Sequence, residues 1–198
     1  NGAIYDRLHG GFHRFSSERT WRAPRLEKLL AVNAEMLAVL AHGFRITREP
    51  RYREAAERSA EWAMTTLADR DRGGFGSSQA ACTTSDDPGN YYTWTVGEVE
   101  RVLNDDTQCR LFCAVHGIGE WGDLPESAPH RNLLFVAQDP EDAFRALKIE
   151  ARKGQILLGD ARLKLLAAAG MRPVPPVDRT ILVDANARMV SALLAWPA

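Results

Sequence analysis

The chain lacks an excess of charge of either sign. Lys plus Arg number 25 and Asp plus Glu 26 among 198 residues, a formal net charge of −1. No basic footprint for nucleic acid or for an anionic membrane surface is present, so neither is expected as a partner. Long apolar runs are also missing, and none nears the roughly 20 residues of a membrane-spanning helix. No secretory leader pattern is visible. Cysteine is scarce and odd in number, with only Cys82, Cys109 and Cys113. That excludes a disulfide framework and favours a reducing, cytoplasmic setting. Cys109 and Cys113, four apart on an expected helix, read as two buried thiols sharing a face. Walker loops, dinucleotide fingerprints and zinc-ligand spacings are absent, so no cofactor and no metal are expected.

What is present is a globular composition, 45% hydrophobic and 26% charged, organised by a repeated tripeptide. Gly10-Gly11-Phe12 and Gly73-Gly74-Phe75 bracket a stretch with helical periodicity. A unit of about sixty residues, glycine turn plus helix pair, points to repeated αα-hairpins and an all-α chain. Leu26, Leu29, Leu30, Leu37 and Leu40 form the stripe of a first helix that Pro24 would open. Ala31, Ala34 and Ala38 form a small-residue edge fit for close approach of a neighbour. Pro50 opens a second helix, with Tyr52, Ala55, Ala56, Ala63 and Leu67 facing inward. Residues 69–90 read as a long loop. Thr95 and Glu98 spell a capping box ahead of a short helix from Val96 to about Leu103.

Another helix is expected from about Thr107 to His116, and 117–138 reads as irregular with one strand candidate, Asn132–Val136. A short helix begins at Asp139, Pro140 and Asp142, and a longer one runs from about Glu150 to Ala169 and stops at Gly170. Pro173, Pro175 and Pro176 enforce an extended segment. A last helix from near Asp184 carries Met189, Val190, Leu193 and Leu194. The ends, Asn1-Gly2-Ala3-Ile4 and Trp196-Pro197-Ala198, read as interior sequence. The expectation is a single domain that is a segment of a longer protein, with one short β-hairpin at most.

Several segments, in order along the chain, carry a resemblance. They are Ile4-Tyr5-Asp6, Gly10 through Ser16, Trp21, Pro24 and Leu26-Glu27-Lys28-Leu29-Leu30, then Gly73-Gly74-Phe75, Tyr91 through Thr95, and Asp178 through Leu182 with Asn186. Together they resemble the large thioredoxin-domain-containing proteins related to spermatogenesis-associated protein 20. The resemblance implies part of a C-terminal helical region similar to the (α/α)6 toroids of glycosidases and sugar epimerases. It implies a sugar or polyol ligand, acid/base chemistry of the hydrolase or epimerase type, and as partners the remaining hairpins and a thioredoxin-like domain upstream. A partial ring would leave apolar faces uncovered, so association is expected without those hairpins. The chain departs from the family at Gln79-Ala80-Ala81-Cys82, where two acids are replaced, at Arg25-Leu26, where a His is replaced, and at Ala185, where Trp is usual.

The catalytic candidates are Asp178, Glu27 and His13; the substrate-binding candidates are Arg14, Asn33, Tyr92, Trp94 and Asn186. His13 and Arg14 follow the first glycine turn, where a His can move protons and an Arg fork can hold an anion. Glu27 falls in the expected first helical turn, favoured there by the helix dipole alone. Asn33 lies on the leucine stripe, and an inward amide must be hydrogen-bonded. Asn186 sits comparably before Val190 and Leu193. Both amides suit either a ligand hydroxyl or the backbone of a neighbouring loop. Tyr92 and Trp94 offer ring faces to a sugar or fill a core. Asp178 serves as surviving acid or as ion-pair partner of Arg179. Two readings follow: a sugar-processing domain, or a non-catalytic scaffold whose cavity has lost its acids.

Overall fold

A computed structural model of the chain describes residues 2–124 and 128–196. Asn1, Pro197 and Ala198 of the expected chain ends, and residues 125–127 of the expected irregular stretch, lie outside the described residues. The described chain is mainly helical, as expected. It separates into two compact units that alternate along the sequence. The first holds Asn1–Leu8, Ser16–Pro24 and Thr84–Val174; the second holds His9–Phe15, Arg25–Thr83 and Pro175–Ala198. Two-residue strands β1 (Phe15–Ser16) and β2 (Pro24–Arg25) pair with each other.

The second unit is built on α1 (Leu30–Thr47), α2 (Pro50–Trp62) and α7 (Val183–Ala195). α1 packs on both others. Its buried side chains are Leu30, Asn33, Ala34, Leu37, Leu40 and Ala41, so the small-residue edge is partly used as expected. α2 begins at Pro50, whose missing N–H costs nothing in the first turn. It runs into a π-helical turn, Ala63–Leu67. Three short strands, β3 (Lys28–Leu29), β4 (Ser78–Gln79) and β5 (Val177–Asp178), form an antiparallel sheet in the order β3-β4-β5. Lys28 stands opposite Gln79, which stands opposite Val177; Leu29, Ser78 and Asp178 form the adjacent row.

Two expectations fail here. Pro24 does not open α1; it lies in β2, and the helix starts six residues later. The backbone from 25 to 29 is committed elsewhere: Arg14 N–H donates to the Glu27 carbonyl at 2.8 Å, and β3 is in the ladder. Glu27 is therefore outside the helix and gains nothing from its dipole. On α7 the inward residues are Ala185, Met189 and Ala192, whereas Val190 and Leu194 point outward at 47% and 81% exposure. The face of α7 turned inward therefore carries Ala185 and Ala192 with Met189 between them, and not Val190 or Leu194.

The first unit contains α3 (Val96–Leu103), α4 (Asp106–His116), α5 (Pro140–Leu147) and α6 (Ala151–Ala169). α3 carries the expected capping box, Thr95 with Glu98. α4 is capped by Asp105 and ends at Gly117, in the left-handed conformation at φ 66. Asp139 and Glu150 cap α5 and α6. Trp94, Val99, Leu103, Phe112, Leu134, Ala161 and Leu165 make its main core. The strand candidate at 132–136 is an irregular segment with one bridge, Asn132 to Trp94. Each fully buried side chain here contributes about 1.5–3 kcal/mol. Among the described residues no helix is long and apolar enough to cross a membrane.

Candidate functional site

In the second unit the glycine tripeptides become two copies of one local device. Gly10, Gly11, Gly73 and Gly74 all take positive φ, between 76 and 81 degrees, a conformation costly for residues with a Cβ. Each turn presents the N–H and C=O of its Phe to an Asn on a helix. Asn33 Oδ1 accepts from Phe12 N–H at 2.6 Å and its Nδ2 donates to Phe12 O at 3.0 Å. Asn186 does the same with Phe75, at 2.8 and 3.0 Å. Both Asn residues sit four positions past the helix N-cap, Leu29 and Leu182, and also donate to that residue's carbonyl. Both amides are hydrogen-bonded to the backbone of a glycine turn and of the helix N-cap.

His13, next to the first turn, is 1% exposed. Its Nδ1 lies 2.7 Å from the Leu26 carbonyl. A carbonyl only accepts, so Nδ1 carries the proton. Arg14 pairs with Glu27 at 3.1 Å, with the Arg half exposed; a pair so open to water is worth at most about 1 kcal/mol. Asp178 is exposed, and hydrogen bonds from the Thr180 backbone, the Thr180 hydroxyl and Ser77 hold its carboxyl below the usual range. These hydrogen bonds favour its ionised form. The expected Asp178–Arg179 partnership gives way to other contacts. Arg179 reaches the Leu67 and Ala68 carbonyls at 3.4 Å each, while Asp178 turns to Thr180. Glu27 and Asp178 lie two strands apart and two positions out of register, about 12 Å between Cα atoms at ordinary sheet spacing.

The opposite row of the same sheet holds groups that sequence reasoning missed. Lys28 is 0% exposed and Gln79 1%. Lys28 Nζ donates to the Gly10 carbonyl at 2.7 Å and lies 5.2 Å from the centre of the Trp62 ring. Trp62 Nε1 donates to Gln79 Oε1 at 3.0 Å. A buried ammonium is stabilised by an accepting carbonyl and by a ring face. The only sequence signal was Lys28's place within the Leu26–Leu30 motif.

Tyr92 and Trp94 belong to the first unit and are 4% and 1% exposed. This corrects the expectation of open ring faces for a sugar. The Arg172 guanidinium lies 3.7 Å from the Trp94 ring centre. Arg172 also donates to Thr93 O at 2.7 Å and to Glu98 at 3.3 Å, and Arg131 reaches the same Glu98 oxygen at 3.3 Å. Asn132 holds Gly119 by both N–H and C=O, at 3.0 Å each, and donates to the Trp94 carbonyl at 3.1 Å. His116 lies against Phe112, and its Nδ1 faces the Phe135 carbonyl at 3.2 Å. Burial drives its pKa down to about 4, against the pull of that carbonyl and aided by Arg7. Burial raises the Cys109 thiol and pushes Cys113 up to about 12.

The comparisons agree with the resemblance carried by the motifs. Mouse spermatogenesis-associated protein 20 is 30% identical over 96% of the chain, and the human protein 29% over the same share. Over nearly its whole length this chain is similar to spermatogenesis-associated protein 20. It spans about a quarter of the length of these relatives, 26% and 27%. An uncharacterized Caenorhabditis elegans protein is 21% identical over 98% of the chain. No family model matches. Among solved structures, a family 76 glycoside hydrolase from a bovine Bacteroides thetaiotaomicron strain overlaps 97% of the chain and 48% of its own. The identity is 14% and the TM-score 0.35, too loose an overlap to carry an argument about fold or chemistry.

Proposed function

We propose that this chain, similar to spermatogenesis-associated protein 20, is a non-catalytic scaffold, whose polar interior holds loops in place. The observation that carries the reading is the saturation of Asn33 and Asn186. Both amides, the groups best placed to meet a ligand's hydroxyls, are spent on Phe12, Phe75 and the N-cap carbonyls. His13 is likewise sealed against Leu26, and Glu27 answers Arg14. Positions 80, 81 and 82, directly after β4, are two alanines and a thiol, with no acid among them. Three free cysteines support a reducing, cytoplasmic compartment.

A second reading is favoured by one observation. Asp178 is exposed and ionised, and the half-exposed Arg14 fork lies in the same unit. Such groups suit the hydroxyls of a sugar or polyol, the ligand class that the family resemblance implies. Calorimetry of the full chain against a panel of monosaccharides and oligosaccharides separates the two. The scaffold predicts no saturable heat. Saturable binding that Asp178→Asn or Arg14→Gln removes overturns it.

A further inference from the structure

Within the second unit, α1 and α7 follow one plan. β3 and β5 both pair antiparallel with β4, so they run parallel to each other, and each leads into its helix. Positions on the two helices correspond at a constant offset of 153. The N-caps Leu29 and Leu182, the clamps Asn33 and Asn186, and the ion pair Glu35–Arg188 all fall at that offset. The helices differ in what covers them. On α1, which packs on both α2 and α7, Leu30, Ala34, Leu37 and Ala41 are buried. Their counterparts on α7, Val183, Ala187, Val190 and Leu194, are all exposed. Spaced four, three and four apart, they form one apolar stripe along the helix. The other side shows the reverse. Ala185, Met189 and Ala192 are buried on α7, whose helical neighbour is α1. Their counterparts on α1 are Val32 and Met36, both half-buried, and Val39, 63% exposed.

We propose that a second copy of this chain seats its Val32–Met36–Val39 face on the open Val183–Leu194 stripe of α7, repeating between molecules the step from α1 to α7. The charges fit the repeat. Within one chain Arg188 of α7 stands against Glu35 of α1. At the intermolecular step α7 takes the place of α1, so Arg188 meets Glu35 of the second copy at the corresponding position. The signs are opposite and the contact is favoured; like charges at those two positions would oppose it. Met36 then fills the place on α7 that corresponds to the one Met189 fills on α1, and the apolar stripe leaves water. The contact is heterologous, because each molecule uses two different faces. Joining two copies leaves one face of each kind open, and assembly continues past a dimer.

The test is sedimentation velocity on the full chain over a wide range of concentration. The wild type should grow past a dimer as concentration rises. Leu194→Glu and Val39→Glu each put a charge on one of the two faces, at positions open to water in the folded chain. Each should weaken association about a hundredfold. An equimolar mixture of the two variants should form a heterodimer and stop there, because Leu194→Glu keeps an intact α1 face and Val39→Glu an intact α7 stripe. Ile156→Glu, at an exposed position of α6, should leave association unchanged. A wild type that stays monomeric throughout overturns the proposal and leaves both faces to the helices of some other protein. So does association of either face variant at wild-type strength, a mixture that gains nothing over its components, or a loss of association in Ile156→Glu that Leu194→Glu does not share.

Discussion

The two compact units fix their irregular chain by different chemistry. In the second, neutral amides carry the work: Asn33 and Asn186 each grip a glycine turn. In the first, an amide at Asn132 is joined by charge, with Glu98 between Arg131 and Arg172 and a guanidinium laid on Trp94. Neutral clamps are insensitive to salt and pH, whereas charged ones respond to both. The contrast also separates strength from reach. Asn33 is 1% exposed and closes a loop across 21 positions; Asn186 is half buried and closes one across 111. The same three hydrogen bonds should count for more where water cannot replace them.

The largest effect is expected from Asn33→Ala. It removes the hydrogen bonds to the Phe12 N–H and C=O and to the Leu29 carbonyl, and should cost about 4 kcal/mol in denaturant unfolding, at 1–3 kcal/mol per buried bond. A loss below 1 kcal/mol would erase the distinction between buried and open clamps. Next comes acid titration of the first unit. His116 is held neutral, its pKa depressed to about 4 from 6.5. The unfolded chain takes up the proton first, so stability is full above 6.5 and falls as the pH drops towards 4. The loss should be roughly 3 kcal/mol, and His116→Phe should flatten it. Segment-resolved hydrogen exchange over that range should show opening in Thr84–Val174 first.

Glu98→Gln should cost about 2 kcal/mol by leaving two mostly buried guanidinium groups with a neutral partner. The loss should shrink in high salt, whereas that of Asn33→Ala should not change. The smallest effect is expected from Asn186→Ala, about 1 kcal/mol, because solvent can reach the vacated Phe75 groups. Thermal melts of the pair Asn33→Ala and Asn186→Ala, read side by side, test the ranking directly.

Part of this contrast is legible in the amino-acid sequence, and the rest is hidden for physical reasons. The glycine tripeptides, the Thr95–Glu98 box and Pro50 announce themselves because one or two residues decide them. Asn33 betrays its burial by falling on a leucine stripe. The strands β2 to β5 contain two residues each, too few to show a period, so Pro24 and Glu27 look helical in sequence. Lys28 looks like a surface residue until the Trp62 ring and the Gly10 carbonyl are placed around it. Tyr92 and Trp94 look like a sugar platform because pattern cannot say what covers a ring. Val190 and Leu194 are apolar like the inward Met189, and hydropathy alone does not say which of them faces α1. Of the site candidates, sequence located the residues around the glycine turns but could not say that their polar atoms were already engaged.

The single wide turn at Ala63–Leu67 has a consequence for how this chain tolerates change. There the Ala68 N–H reaches back five residues to Ala63, at 3.0 Å, instead of four. One residue is in effect looped into the end of α2. Removing any one of the five would restore ordinary winding within the same turn and leave the chain beyond it close to its present direction about the helix axis. The stretch leading to Ser78 and Gln79 would then still meet Lys28 and Val177. A one-residue deletion in this spot should therefore be less damaging than one within Pro50–Trp62, where regular winding would turn everything downstream by about 100°.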